Sequence, residues 1–152
     1  MTELLALHAL VEAPPDRVAE LLLDVRPGGR SPLAVGGEAA GGEVTETGEV
    51  TGTGEGDSFD VVKDGSRMTV TVDRDRREVA LQGEWWYRGV TSVEPDPRGS
   101  RVVHRIFNVA EGAGWAVRFV SRGPLNAAPR TFADMVHRIG ETLGVAARVL
   151  DD

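Results

Sequence analysis

Apolar and polar positions follow different rhythms along this chain. Leu4–Glu12 is apolar on both parities, the pattern of a strand buried over much of its length. Ala13-Pro14-Pro15-Asp16 ends it. A helix is predicted to open at Pro15 or Asp16, with Val18, Leu21, Leu22 and Val25 at helical spacing and Arg26-Pro27-Gly28-Gly29 as its stop. From Phe59 onward the period becomes two. Phe59–Val62 and Arg67–Asp73 read as strands joined by Lys63-Asp64-Gly65-Ser66, and Met68, Val70 and Val72 share one face.

The stretch Val79–Val109 reads as one long β-hairpin. Two arms rich in Val, Ile and aromatics flank the turn Glu94-Pro95-Asp96-Pro97-Arg98-Gly99-Ser100. Each arm is about ten residues long, on the order of 30 Å. In the first arm Val79, Leu81, Trp85, Tyr87 and Val93 fall on one parity. Trp85 and Tyr87 are therefore expected on one face and Trp86 on the other. In the second arm Val103, Phe107 and Val109 oppose Val102, His104, Ile106 and Asn108.

Gly112–Gly123 fits two patterns: Trp115, Val117 and Phe119 alternate as in a strand, yet Trp115 and Phe119 are also helix neighbours. Beyond Pro124 and Pro129 a helix is expected from Arg130 to Gly144. At about 100° per residue, Phe132, Val136, Ile139 and Leu143 lie within roughly 40° of one another, with Met135 at the edge. Asp134, His137, Arg138 and Glu141 lie opposite.

Residues 28–56 are different in kind. They hold ten of the nineteen glycines, and from Glu38 to Asp57 there are six acids and no base. This segment is expected to be mobile and to form an acidic rim near the mouth of a cavity, with a helical turn near Ser31–Val35 and a weak strand at Glu43–Val50. Gly52-Thr-Gly54-Glu-Gly56 does not read as a nucleotide loop, because a strand rather than a helix follows it.

At 152 residues the chain reads as a single domain, residues 1–152, large enough to bury a core without staples. It has no cysteine, which excludes disulfides, thiolate metal sites and a cysteine nucleophile. The amino-terminal apolar run is too short for a signal core or a membrane span, so a cytoplasmic address without membrane insertion is expected. The net charge of −7 and the scattered arginines argue against a nucleic-acid partner. Lys63 is the single lysine among 17 basic residues, a bias that suggests a GC-rich bacterial genome.

The order of elements resembles that of the START-related superfamily, also called SRPBCC, which includes lipid-transport-like and polyketide cyclase/dehydrase-like proteins. Val11-Glu-Ala-Pro-Pro-Asp-Arg-Val18 running into Leu21-Leu22-Leu23-Asp24 is similar to that superfamily's first strand and helix. Gly83-Glu-Trp-Trp-Tyr-Arg-Gly89 followed by Val102-Val-His-Arg-Ile-Phe-Asn108 is similar to bacterial members. The resemblance implies an α+β helix-grip fold, in which a curved antiparallel β-sheet wraps a long carboxy-terminal helix and leaves an internal cavity. It does not choose among functions.

The expected cavity lining combines Phe59, Met68, Val70, Trp85 and Tyr87 with Phe107, Asn108, Phe132, Met135 and Ile139. Such a cavity would bind a small hydrophobic, lipid- or polyketide-like molecule by apolar burial, with a few polar groups setting its orientation. The alternative is a cyclase, aromatase or dehydratase, for which Tyr87, His104 and Arg105 are the candidates. An aldol cyclisation needs a general acid or base and a donor to the enolate oxygen. His104 and Arg105 cannot both face inward on a regular strand. A second alternative is a protein-interaction domain whose core is filled. No metal or other cofactor is expected: His8, His104 and His137 fall on separate elements, and Asp134, His137 and Glu141 read as a solvated helix face. The expected assembly is a monomer or homodimer.

Overall fold

The computed structural model describes residues 1–25, 30–35, 38–39, 56–63, 66–83, 85–112 and 114–150. Its first strand, β1, spans Thr2–Val11. Pro15 then occupies the first turn of α1, Pro15–Leu22, where its missing N–H leaves no helical bond unmade. Val18, Ala19, Leu21 and Leu22 form the buried face of α1.

The helical turn expected near Ser31–Val35 is not formed. Ala34–Val35 is instead a short strand, β2, paired with β3, Glu38–Ala39. Two local features favour this. Ser31 precedes Pro32, which disfavours helical backbone at the serine. The Ser31 hydroxyl also donates to the Leu22 carbonyl at 2.7 Å and accepts the Leu33 N–H at 3.3 Å, offering the backbone a non-helical partner. The helix stop at residues 26–29, the strand at Glu43–Val50 and most of the glycine-rich segment lie outside the described residues.

The remaining strands are β4 (Gly56–Lys63), β5 (Ser66–Asp73), β6 (Glu78–Gln82), β7 (Tyr87–Asp96), β8 (Gly99–Asn108) and β9 (Ala147–Leu150). They form one seven-stranded sheet in the order β4-β5-β6-β7-β8-β1-β9, and every pairing in it is antiparallel. The strand β9 extends the expected pattern, which stopped at Gly144.

The long hairpin differs from the expectation at both ends. At its tip, Glu94, Pro95 and Asp96 remain in the ladder opposite Arg101, Ser100 and Gly99, so only Pro97 and Arg98 turn. The Asp96 carboxylate accepts the Arg98 N–H at 2.9 Å and closes that turn. Gly99 has φ +137°, and a Cβ there would stand 2.5 Å from the Val11 carbonyl oxygen, so both conformation and space require glycine. At the other end the expected single arm is folded on itself. Residues 78–82 and 88–92 pair with each other, and the Gly83 N–H donates to the Tyr87 carbonyl at 2.9 Å. Trp85 and Trp86 therefore sit in a connection, and strand parity does not carry through them.

Gly112–Gly123 resolves as helical. α2 covers Gly114–Val120 and α3 covers Arg122–Leu143, eight residues ahead of the expected start. Pro124 lies in the first turn of α3, where it is harmless. Pro129 lies inside the helix and is exposed; it withholds a donor from the Leu125 carbonyl without ending the helix. Gly144, at φ 68°, closes α3 in the left-handed conformation.

α1 and α3 cover the concave face of the sheet. The core gathers Val18, Leu21 and Leu22 of α1, Val70, Val79 and Val102 of the sheet, and Val136 and Ile139 of α3. Gly140 brings α3 close to the last strand: a Cβ there would lie 3.1 Å from the Ala147 Cβ. Among the described residues no helix is long and apolar enough to cross a membrane.

Candidate functional site

The core does not fill the whole space between sheet and α3. Toward the amino-terminal half of α3 there is a cavity of about 400 Å³, within the size range of small-molecule sites. The sheet contributes Met68 of β5, Leu81 of β6, Tyr87 of β7, and His104 and Ile106 of β8. Leu33 and Trp86 come from connecting segments. α3 supplies a stripe at helical spacing: Ala128, Phe132 and Met135 are buried, whereas Pro124, Ala127 and Thr131 are exposed and mark the mouth.

Tyr87 owes its position to Gly89. The two residues share a face of β7, and the phenol lies over the glycine: a Cβ at residue 89 would be 2.6 Å from the Tyr87 hydroxyl oxygen. Trp86 meets the Tyr87 ring edge-on, with centroids 5.4 Å apart and planes at 83°. Burial raises the Tyr87 pKa above its usual value, so the phenol is a neutral donor across the physiological range. Its hydroxyl has no hydrogen-bond partner among the described residues.

His104 faces the same cavity. Its Nδ1 lies 2.8 Å from the Oγ1 of Thr91, directly opposite on β7, and its ring stacks on Phe132 with centroids 6.3 Å apart. Desolvation by burial lowers its pKa to about 4, so the imidazole is neutral at pH 7. Thr91 occupies Nδ1, and Nε2 has no partner among the described residues. Among the described residues the lining thus offers a phenol, an imidazole and the Thr131 hydroxyl as polar groups, and no charged side chain.

Of the ten residues expected to line the cavity, the structure brings four to it: Met68, Tyr87, Phe132 and Met135. Val70 and Ile139 are fully buried in the adjoining core rather than in the lining. Phe59 lies in β4 opposite Val70, and its side chain is outside the described residues. Three expectations are corrected. Trp85 is 40% exposed and donates its indole N–H to the Gly112 carbonyl at 2.8 Å; its neighbour Trp86 takes the inward place because the chain turns there. Phe107 alternates with His104 and Ile106 and so falls on the other face of β8. Asn108, at the strand end, is turned to its own backbone, accepting the Ala110 N–H at 3.0 Å.

Arg105 also lies on the outer face, within 3.5 Å of Glu3 and 3.9 Å of Glu94, and does not reach the cavity. His137 pairs with Glu141 on the exposed side of α3. Among the described residues no three His, Asp or Glu side chains converge as a metal site would require. The stripe Pro124, Ala127, Ala128 and Thr131 escapes the sequence reading because Pro124 and the nearby Pro129 read as helix breakers. Its i, i+3, i+4, i+7 spacing was the available signal.

The sheet wraps the long helix α3, with the cavity between them. The chain adopts the helix-grip fold. No family model matches it, and no curated protein does. Among solved structures, a protein of Nitrosospira multiformis is similar with a TM-score of 0.52 at 14% identity, covering 89% of this chain and 96% of that one. Ara h 8.0201 is similar at 14% identity over 92% of this chain and 98% of its own, with a TM-score of 0.49. A Thermus thermophilus protein is similar at 15% identity over 91% and 99%, with a TM-score of 0.45. At 14% identity what is shared with the Nitrosospira multiformis protein is the fold.

Proposed function

We propose that this chain is a START-related (SRPBCC) protein that reversibly binds one small, neutral, largely apolar molecule between the sheet and α3. The observation that carries this reading is the cavity itself, about 400 Å³, whose described residues are mostly apolar with uncharged polar groups among them. Apolar burial at ~25 cal/mol per Å² would supply affinity, and the Tyr87 hydroxyl and His104 Nε2 would fix orientation. Among the described residues of the lining a carboxylate ligand would find no cation to offset its desolvation cost. Lipid- or polyketide-like molecules with one carbonyl or hydroxyl group fit these demands. A void of this size weighs against an interaction domain with a filled core.

Native mass spectrometry of the purified protein, followed by extraction and identification of any bound molecule, tests the proposal. Ala128→Phe, which pushes a ring into the cavity, is expected to weaken binding of that molecule about tenfold or more, about 1.4 kcal/mol. A wild-type protein that carries nothing and takes up no neutral apolar probe would refute it.

A second reading is favoured by Tyr87 and His104 sharing one cavity: a cyclase or dehydratase acting on a polyketide-like substrate. His104 would remove a proton from carbon while the Tyr87 O–H donates to the developing enolate oxygen. A base with a pKa of about 4 is a weak proton acceptor at pH 7, and this ranks catalysis below binding.

A further inference from the structure

α2 is oriented against the usual logic of a surface helix. Its inward side is small: Val117 is buried in the cluster with Trp86, Ile106 and Ala128, and Ser121, just beyond the helix, is buried as well. Its outward side is large. Trp115 is 75% exposed, Phe119 50% and Val120 46%. Monomeric proteins seldom leave three such side chains together in water without a use for them.

The charges within residues 112–133 are of one sign, with Glu111 and Asp134 just outside the two ends. Between Gly112 and Ala133 the sequence holds Arg118, Arg122 and Arg130 and no acid, although the chain as a whole carries −7. Trp115, Arg118 and Phe119 follow the spacing i, i+3, i+4 and share one stripe of α2, which Arg122, the first residue of α3, joins at the Phe119 ring. The Arg118 and Arg122 guanidinium carbons lie 4.9 and 5.7 Å from the centre of the Phe119 ring, so cations and apolar rings are presented together. The Trp85–Gly112 hydrogen bond adds a further half-exposed indole beside the start of α2. The stripe leads directly into the first turn of α3, where Pro124 marks the cavity mouth.

We infer that α2 docks this protein on an anionic lipid surface, lying in the headgroup region with Trp115 and Phe119 inserted and Arg118 and Arg122 on lipid phosphates. Aromatic rings at headgroup depth and arginines reaching phosphate are the pairing that interfacial helices use. Seven residues are far too few to span a bilayer, so the contact is adsorption. The docking does not depend on what the cavity holds.

The test is sedimentation of the full chain with phosphatidylcholine vesicles and with mixed phosphatidylcholine/phosphatidylglycerol vesicles, with tryptophan emission followed in parallel. The wild type is expected to bind the mixed vesicles, more weakly at high salt, with a blue shift that Trp115→Ala removes. At about fivefold per arginine, Arg118→Gln with Arg122→Gln should weaken binding on the order of 20-fold. Trp115→Ala with Phe119→Ala should abolish it without lowering Tm, since both side chains are exposed. Failure of the wild type to bind the mixed vesicles overturns the inference and leaves the patch to a protein partner. Unchanged binding in both double variants overturns it too, by placing the lipid contact elsewhere.

Discussion

The two halves of α3 meet the same sheet in opposite ways. Toward its carboxy-terminal end Val136 and Ile139 are buried against α1 and the sheet, and Gly140 lets the helix close on β9. Toward its amino-terminal end Ala128 is the buried residue, Pro124, Ala127 and Thr131 stand at the mouth, and the space between them and the sheet is the cavity. A single helix thus acts as a core element at one end and as one wall of a container at the other. The difference is side-chain volume: a protein interior is close-packed, so an opening of this size needs small residues on the helix and a glycine, Gly89, under Tyr87.

Ile139→Ala should break the packed half most severely. The residue is fully buried, and its loss is expected to cost about 2–5 kcal/mol by denaturant unfolding. The cavity lies outside that contact, so ligand affinity should change little under conditions where the variant is folded.

The next effect belongs to the open half and is read by pH. His104 takes a proton near pH 6.5 in the unfolded chain and near pH 4 in the folded one. Between those values the unfolded state binds the extra proton, so stability falls as pH is lowered through that window. The change amounts to about 3 kcal/mol at 1.36 kcal/mol per pH unit. Above pH 6.5 the contribution is whole, and below pH 4 no more is lost. His104→Gln should therefore lose less stability than wild type between pH 6.5 and 4, and parallel curves for the two would refute the assignment.

Gly89→Ala should produce the smallest change in stability. The new methyl group meets the end of the Tyr87 side chain rather than backbone, so the ring can swing away at a cost of about 1 kcal/mol. The displaced phenol would alter ligand affinity more than folding. Equal affinity in the variant and wild type would show that Tyr87 does not orient the ligand.

Where the chain has one regular period, its sequence announced the structure. The alternation of Met68, Val70 and Val72 and the helical face of Phe132, Val136 and Ile139 both appear where their spacing put them. The errors cluster where a period is interrupted. The parity count ran through Gly83–Trp86 as though the strand were continuous, and so exchanged Trp85 for Trp86. Pro124 and Pro129 hid the first two turns of α3, because a proline reads as a stop whether it lies in a first turn or on an exposed helical face. Trp115 and Phe119 suggested either element because a seven-residue helix is too short to establish a rhythm. The contribution of Thr91 was invisible for a different reason. Its pairing with His104 depends on the register of two strands, which a tight turn at Pro97–Arg98 sets and the hydrophobic pattern does not.

The place of β1 in the sheet bears on how this molecule assembles. Strands β4 to β8 each pair with the next along the chain, so local hairpins can form them in turn. β1, the earliest strand, pairs with β8 and β9: Val11 waits for Ser100 on one side and Ala147 on the other. Contacts so distant in sequence close late and slowly. During synthesis the amino-terminal strand is therefore made early and paired late, one edge open until β8 is made and the other until β9 arrives.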